Sequence, residues 1–449
     1  MDVKDKKAAF ADDVSAEVSA EVSAEVSAEV SAEVSAIGSM GRCFALAVCF
    51  LIVVLDGFNT TSISFVVPTL AREWHLTPAL FTPVFVATNV GAAIGFVVTG
   101  PLAHRIGQRL VGFASVVLFG GCTLLTVYAG DIMSLSALRL LAAIGLGAAL
   151  TIAITASAGI LGTKHKVAAS ILVTTGMSVG AVIGGVVGGP LMHRFGWQSI
   201  FVLGGTLPFI VVPAFYSVLR AAGQASGDHA AGRGANQLKA LFRNGLAGYT
   251  CLLWLFSFLI FMDVYALLFW LPTLLVAFGF SLDHAPAGMA AFSFGGLSGN
   301  LLMTAAVAAM TLKGSLRIKS ALTIGVACVI ASIAALSQAA LPPPGVLLLI
   351  GVIGAGLVNG IMGQTALAVA FYPANLRATG VGWGLAMGRV GSFVGPAIGG
   401  ALLSLGWAPR DIVLTAILPA LAAIVTLVAL SLAGRRAGSR ASGHALVEH

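Results

Sequence analysis

Four ionisable side chains lie inside long apolar stretches of the sequence, and they are the first candidates for chemistry. They are Asp56, Arg139, Asp263 and Arg389. A charge in an apolar segment costs free energy unless it is paired or hydrated, so such a residue is a candidate for a functional site.

Asp56 and Arg389 have the types needed to exchange a proton and to bind an anion. Asp56 stands midway along an apolar run beside Gly57, where its carboxyl can take up and release a proton. Arg389 lies among glycines that leave room for a planar anion, and a guanidinium binds a carboxylate through two parallel hydrogen bonds. For both residues the alternative is a permanent ion pair that joins two helices.

Arg139 and Asp263 leave more alternatives open. Arg139 lies one or two helical turns inside its apolar run, which fits a role in gating or coupling, or a packing role with its charged end reaching toward water. Asp263 stands between Met262 and Val264 and is a candidate proton carrier, or a partner of Arg389 when no substrate is bound.

Aromatic and amide side chains in the same stretches provide groups that stack on a ring or hydrogen-bond its substituents. The aromatic candidates are Tyr265, Trp270, Phe292, Tyr372 and Trp383, and the amides are Asn59, Asn89, Asn300, Asn359 and Gln364. With Arg389, we select as candidate binding residues Asn59, Tyr265, Trp270, Gln364 and Trp383. Packing, anchoring at the membrane surface, or a hydrogen bond between helices is the alternative for each.

The chain that must position these residues is too apolar for a water-soluble protein. Of its 449 residues, 58% are hydrophobic and only 9% are charged, against about 25% charged in a typical soluble domain. The sequence has no CxxC pair among its five cysteines, no HExxH spacing among its eight histidines and no Walker sequence. The composition therefore predicts an all-α integral membrane protein and no enzyme, metal site, cofactor or nucleic-acid partner.

Twelve apolar runs are long enough to cross a membrane, which takes about 20 residues. The predicted spans are 43–70, 80–103, 110–130, 133–160, 167–192, 198–220, 246–277, 285–311, 318–338, 344–370, 378–405 and 411–434. The longest polar interval divides them into six and six. The predicted organisation is a tail (1–40), a six-helix bundle (41–220), a cytoplasmic linker (221–245), a second six-helix bundle (246–434) and a C-terminal cytoplasmic tail (435–449).

Residues 1–40 differ in composition from the rest of the chain. Val14 to Glu33 is five copies of Val-Ser-Ala-Glu, and a helix of this repeat would place like charges four residues apart without a wide apolar face. We expect a disordered tail, and no signal peptide, because the first apolar run begins only after Arg42.

Lys and Arg residues near the spans predict the orientation, because they are retained on the cytoplasmic side. With the N-terminus inside, 19 of the 24 fall in cytoplasmic segments and two inside spans, while only Arg72, Arg194 and Arg410 fall outside. Both termini are therefore predicted to face the cytoplasm of a bacterial inner membrane.

An internal repeat relates the fifth span to the eleventh. Gly180, Gly184, Gly188 and Gly189 recur as Gly391, Gly395, Gly399 and Gly400, at a constant offset of 211 residues. Glycines four apart also let helices approach closely. The fixed offset favours a duplicated unit of six helices, and parallel repeats of this kind place a binding site between the two halves.

Five motifs follow one another in order along residues 43–434. They are Leu55-Asp56-Gly57-Phe58-Asn59-Thr60, Gly100-Pro-Leu-Ala-His-Arg-Ile-Gly-Gln-Arg109, Arg139 with Gly145-Leu-Gly147, Phe195-Gly-Trp-Gln-Ser-Ile-Phe201, and Tyr372-Pro followed by Arg377-Ala-Thr-Gly-Val-Gly-Trp-Gly-Leu-Ala-Met-Gly-Arg389. Together they resemble the aromatic acid:proton symporters of the major facilitator superfamily. The resemblance implies two six-helix bundles that import a benzoate- or hydroxybenzoate-type anion with protons by alternating access, as a monomer.

The resemblance also implies roles for individual residues. Proton coupling is expected of Asp56, Asp263 and Arg139, and a gating loop of Gly100, Arg105, Gly107 and Arg109. The sequence departs from the family pattern at Asn59 and His104, where the family usually has Asp, and near Ser157, where it has Glu. These departures bear on coupling and gating.

Three other functions stay open at this point. One is transport of another organic anion, such as a dicarboxylate or a sugar acid, and another is a receptor that binds without transport. The third is proton-coupled drug export, which is less favoured because exporters of the superfamily carry a proline on the fifth helix where this chain has Gly185, whereas Gly395-Pro396 lies on the eleventh.

Overall fold

Helices make up all the regular secondary structure in the computed structural model, which describes residues 39–160, 162–222, 238–243, 246–309, 316–338 and 341–445. The twelve long helices of these residues are α1 (Ser39–Glu73), α2 (Thr82–Ile106), α3 (Gln108–Leu125), α4 (Ile132–Ile160), α5 (Gly162–Phe195), α6 (Gln198–Ala222), α7 (Ala247–Ala277), α8 (Pro286–Ala309), α9 (Leu316–Gln338), α10 (Pro343–Phe371), α11 (Ala374–Ser404) and α12 (Ile417–Ala445). Short helices at Pro78–Phe81, Thr126–Tyr128 and Pro409–Thr415 lie between them.

The long helices correspond to the twelve predicted spans. Eleven of them meet the length and hydropathy expected of a membrane-crossing helix within the described residues, and α8, with 24 residues, takes the place of the eighth span. The predicted all-α membrane fold class is confirmed. The repeat tail up to residue 38 and most of the linker lie outside the described residues, while α12 continues to Ala445, into the segment predicted as a C-terminal tail.

Helix pairing repeats between the two halves of the chain. In the first half α1 packs on α5, α2 on α4, and α3 on α4 and α6; in the second, α7 packs on α11, α8 on α10, and α9 on α10 and α12. A side-chain carbon at Gly180 would overlap the carbonyl oxygen of Val54 on α1, and one at Gly391 would overlap that of Phe258 on α7. The repeated glycines thus serve the same close helix approach in each half, which unites the duplication and the packing explanations.

The two halves contact each other near one face of the membrane domain. Because successive spanning helices alternate in direction, the loops after α1, α3, α5, α7, α9 and α11 share one face, here named the distal face, and Ser39 lies on the opposite, terminal face. Near the distal face the ring centre of Phe85 on α2 lies 4.8 Å from the ring centre of Phe269 and 4.9 Å from that of Trp270, both on α7. His193 Nε2 at the end of α5 lies 3.9 Å from Asp283 Oδ2 in the loop before α8. These contacts close the distal end of the interface.

Candidate functional site

Asp56 and Arg389 come from opposite halves of the chain and line one cavity. Its walls are formed by α1, α2, α4, α5, α7 and α11, with about 340 Å³ not filled by protein atoms, part of it open to the exterior. The lining residues are Asp56, Thr60, Thr88, Asn89, Ala92, Phe96, Ala143, Leu146, Gly147, Leu150, Met177, Tyr265 and Arg389. A carboxyl group and a guanidinium group that are widely separated in sequence thus share one partly enclosed space.

The Asp56 carboxyl is held on α1 without an ion pair. Its Oδ1 accepts a hydrogen bond of 3.2 Å from the Thr60 hydroxyl, one helical turn further along, and the residue is 3% exposed. Within the described residues no cationic nitrogen lies within 4.0 Å of this carboxyl. The permanent Asp–Arg pair that the sequence left as an alternative is therefore not formed in this structure.

The Arg389 guanidinium is positioned by aromatic side chains. Nη1 donates a hydrogen bond of 3.0 Å to the Tyr265 hydroxyl, and the guanidinium carbon lies 4.4 Å from the Phe96 ring centre and 5.8 Å from that of Phe261. Contacts of this kind fix the plane of the guanidinium while using one of its five N–H groups. The remaining N–H groups are available for a carboxylate.

Arg139 lies away from the cavity, inside the first half of the chain. Its Nη2 donates to the hydroxyls of Thr126 (2.9 Å) and Thr123 (3.3 Å) on the α3 side, and its guanidinium lies 4.9 Å over the Phe201 ring on α6. The side chain is 2% exposed, and its Nε has no hydrogen-bond partner in the described residues. All these contacts come from one half, so the geometry does not link Arg139 to the cavity.

Asn59 on α1 and Arg139 on α4 both approach α6. Its Nδ2 donates to the carbonyls of Leu55 (3.1 Å) and Gly204 (2.9 Å), and its buried Oδ1 lacks a partner in the described residues. Gly204 is one turn from Phe201 on α6, and residues three apart share a helix face. Asn59, whose Oδ1 lacks a partner, and Arg139, whose Nε lacks one, therefore approach the same side of α6.

Asp263 is buried on α7 and is not among the residues that line the cavity. It is 2% exposed, and its Oδ2 has no hydrogen-bond partner in the described part of the chain. It forms no ion pair with Arg389 there, so the pairing that the sequence left open as an alternative is not formed in this structure.

Three other predicted binding residues lie outside the cavity. Trp270 Nε1 donates to the carbonyl of Pro396 at 2.9 Å, Trp383 stacks on Trp254 with ring centres 5.8 Å apart, and Gln364 is fully buried. Of the residues proposed from sequence to bind substrate, the structure places Arg389 and Tyr265 in the cavity, and not Asn59, Trp270, Gln364 or Trp383.

Several lining residues were not selected from the sequence. Asn89, Ala92 and Phe96 recur at spacings of three and four on α2 and so form one face, and Thr60 follows Asp56 by one turn. The sequence could have indicated Thr60, because it is a polar residue one helical turn after the buried Asp56. For the α2 stripe only Asn89 stood out, as one amide among five.

The predicted gating loop joins α2 to α3 through a turn that needs glycine. Gly107 has φ of +87°, a conformation that side chains disfavour. Arg109 Nη2 then donates to the carbonyl of Arg220 at 2.9 Å, near the end of α6, whereas Gly100 has no neighbouring atom where a side chain would lie. The loop is therefore tied to its own half of the molecule.

Comparison with known proteins decides the family. The model of the Major Facilitator Superfamily matches residues 49–396. The chain belongs to the Major Facilitator Superfamily. Members of this superfamily are transporters, so the protein is a multi-pass membrane transporter and not an enzyme, as the motifs predicted.

Individual relatives cover most of the chain. It is 35% identical to the 4-hydroxybenzoate transporter PcaK of Pseudomonas aeruginosa, over 83% of this chain and 89% of the relative. It is 34% identical to the gallate transporter of Pseudomonas putida, over 86% and 90%, and 33% identical to the 3-(3-hydroxy-phenyl)propionate transporter of Escherichia coli, over 80% and 87%. The predicted resemblance to aromatic acid transporters is thus confirmed.

Solved structures share the fold at low sequence identity. The nucleoside transporter NupG has a TM-score of 0.69 at 16% identity, over 87% of this chain and 98% of that one. The D-xylose-proton symporter has a TM-score of 0.66 at 15% identity, over 86% and 96%. These likenesses support the major facilitator fold.

Proposed function

We propose that this transporter imports an aromatic carboxylate of the benzoate or hydroxybenzoate type together with protons, by alternating access. The observation that carries the proposal is that Asp56 and Arg389, from opposite halves of the chain, share one cavity without forming an ion pair. One half provides the proton site and the other half provides the anion site. Binding at both sites therefore affects how the two halves move relative to each other.

Arg389 and Phe96 are suited to bind the carboxylate and the aromatic ring of such a substrate. The guanidinium binds a carboxylate through a charge-assisted, two-point contact, and the neighbouring ring of Phe96 offers a face or an edge to an aromatic ring. The relatives named for 4-hydroxybenzoate, gallate and 3-(3-hydroxy-phenyl)propionate all carry aromatic acids, which supports this substrate class.

Asp56 is suited to carry the coupled proton. In the empty cavity the positive charge of Arg389 favours a negative Asp56 across the shared space. A bound carboxylate neutralises that positive charge, so the attraction that favoured the charged form of Asp56 is lost and the buried carboxyl favours binding a proton. Substrate and proton therefore stabilise each other when both are bound, which is the thermodynamic requirement for symport.

The count of Lys and Arg supports a distal face that is periplasmic and termini that are cytoplasmic. In that orientation the contacts of Phe85 with α7 and of His193 with Asp283 close the periplasmic side. The structure then corresponds to a state in which substrate exchanges with the cytoplasm.

Uptake into proteoliposomes tests the proposal. Purified protein is reconstituted, a pH gradient with an acidic exterior is imposed, and accumulation of radiolabelled benzoate, 4-hydroxybenzoate, succinate and gluconate is measured with and without a protonophore. We expect accumulation of the aromatic acids that the protonophore abolishes. Preferred accumulation of succinate or gluconate would assign another organic anion, and binding without flux would assign a receptor.

A further inference from the structure

We propose that Asn89 recognises a ring hydroxyl of the substrate, so that the transporter selects hydroxylated aromatic acids over unsubstituted ones. This inference rests on the proposed function, and it assigns the end of the cavity opposite Arg389.

The Asn89 side chain offers an unused acceptor to the cavity. Its Nδ2 donates a hydrogen bond of 3.0 Å to the carbonyl of Phe85, one turn back on α2, and the residue is 4% exposed. This bond orients the amide, and within the described residues Oδ1 accepts no hydrogen bond. A phenolic hydroxyl is a donor that matches such an acceptor.

The other hydroxyl groups of the cavity already form hydrogen bonds within the protein. The Thr88 hydroxyl donates to the carbonyl of Val84 at 2.8 Å, and the Thr60 hydroxyl donates to Asp56. The Tyr265 hydroxyl accepts from Arg389, which places it beside the carboxylate end of a bound substrate. These hydroxyl oxygens are each tied to a helix or to a charged group, whereas the Asn89 Oδ1 is an amide acceptor directed to the cavity without a partner in the described residues.

The spacing along α2 matches a substrate held at both ends. Phe96, which lies against the Arg389 guanidinium, is seven residues from Asn89, which is two turns or about 10.5 Å. Ala92 lies between them on the same face and has a small side chain. A substrate with its carboxylate at Arg389 and its ring along this stripe would direct a meta or para hydroxyl toward Asn89.

Loss of the hydroxyl should weaken binding strongly. A substrate without it leaves the buried amide oxygen unpaired after water is displaced, and sites that hydrogen-bond a substrate hydroxyl discriminate sharply against analogues that lack one. We therefore expect the wild type to bind 4-hydroxybenzoate at least 10-fold more tightly than benzoate.

Competition uptake with Asn89→Leu tests this assignment. Leucine has a similar size but no acceptor, so apparent affinity for 4-hydroxybenzoate should fall by about 10-fold or more while that for benzoate stays near wild type. Thr99→Val is the matched control, since it removes a buried hydroxyl from the same helix but does not line the cavity; its preference ratio should not change. If Asn89→Leu fails to insert, Asn89→Ala gives the same readout.

The outcomes separate the inference from the function beneath it. A wild type without preference for the hydroxylated acid, or an Asn89→Leu variant that keeps the preference, would refute the role of Asn89 and leave aromatic acid transport intact. A wild type that accumulates no aromatic acid would refute the proposed function itself.

Discussion

Two arginines within the membrane-spanning helices, the half-buried Arg389 and the buried Arg139, occupy different kinds of site. Arg389 lies between the halves of the molecule, where its partners come from α2 and α7 and an acid shares its cavity. Arg139 lies within one half, where Thr123, Thr126 and Phe201 surround it. A charge between the halves changes its surroundings when they move, so we propose that the Arg389 site serves coupling and the Arg139 site serves stability.

The largest effect is expected at the acid of the cavity between the halves. Asp56→Asn keeps the shape of the side chain but cannot release a proton, so accumulation against a gradient should be abolished while counterflow exchange continues. Both are measured in the same proteoliposomes. Undiminished accumulation by this variant would remove Asp56 from the mechanism.

Arg389→Lys should weaken substrate binding, and because Arg389 is only half-buried it should lower stability less than the same change at Arg139. Lysine keeps the positive charge but loses the planar two-point contact, at a cost of about 1–3 kcal/mol in binding free energy. Apparent affinity is measured by uptake, and thermal stability by unfolding of the purified protein. Wild-type affinity in this variant would show that the carboxylate binds elsewhere.

The same substitution at Arg139 should have the opposite pattern. Arg139→Lys loses the stacking on Phe201 and at least one bond to Thr123 or Thr126, so stability should fall by about 1–2 kcal/mol. Apparent substrate affinity should stay near wild type, because none of these contacts reaches the cavity. A selective loss of affinity would contradict the comparison of the two arginines.

Asn59→Asp should give the smallest effect, a rise of a few degrees in the unfolding temperature at neutral pH. An acid on the α6 side of α1 would give the buried Arg139 a counter-charge that the described residues do not provide, and pairing favours both charged forms. The gain should vanish in Asn59→Asp combined with Arg139→Gln. A destabilised single variant would show that the two side chains do not interact.

Much of the fold could be predicted from sequence because hydropathy and glycine spacing are local signals. The twelve spans follow from runs of apolar residues, and the offset of Gly180 and Gly391 follows from two equivalent helix contacts. Asp56 and Arg389 stood out because charges are rare in such runs. These features need no knowledge of how the helices pack.

The sequence does not show the direction in which a side chain points, and for this reason several predicted site residues lie outside the cavity. A helix that is apolar on all sides shows no preferred face, so Arg139 and Trp270 could not be distinguished from residues of the cavity. The packing of α2 against α11 shows that Asn89 and Phe96 belong to one face of α2, which the sequence does not. The predictions for the tail 1–40 stay predictions, since that segment is almost wholly outside the described residues.

Proton uptake on substrate binding tests the central claim most directly, namely that Asp56 and Arg389 bind one proton and one carboxylate together. Calorimetric titration of the purified protein with 4-hydroxybenzoate, in two buffers of different ionisation enthalpy, measures the protons taken up. We expect uptake near neutral pH in the wild type and in Arg139→Lys, and none in Asp56→Asn, which should still bind substrate. Equal proton uptake by Asp56→Asn and the wild type would contradict the account.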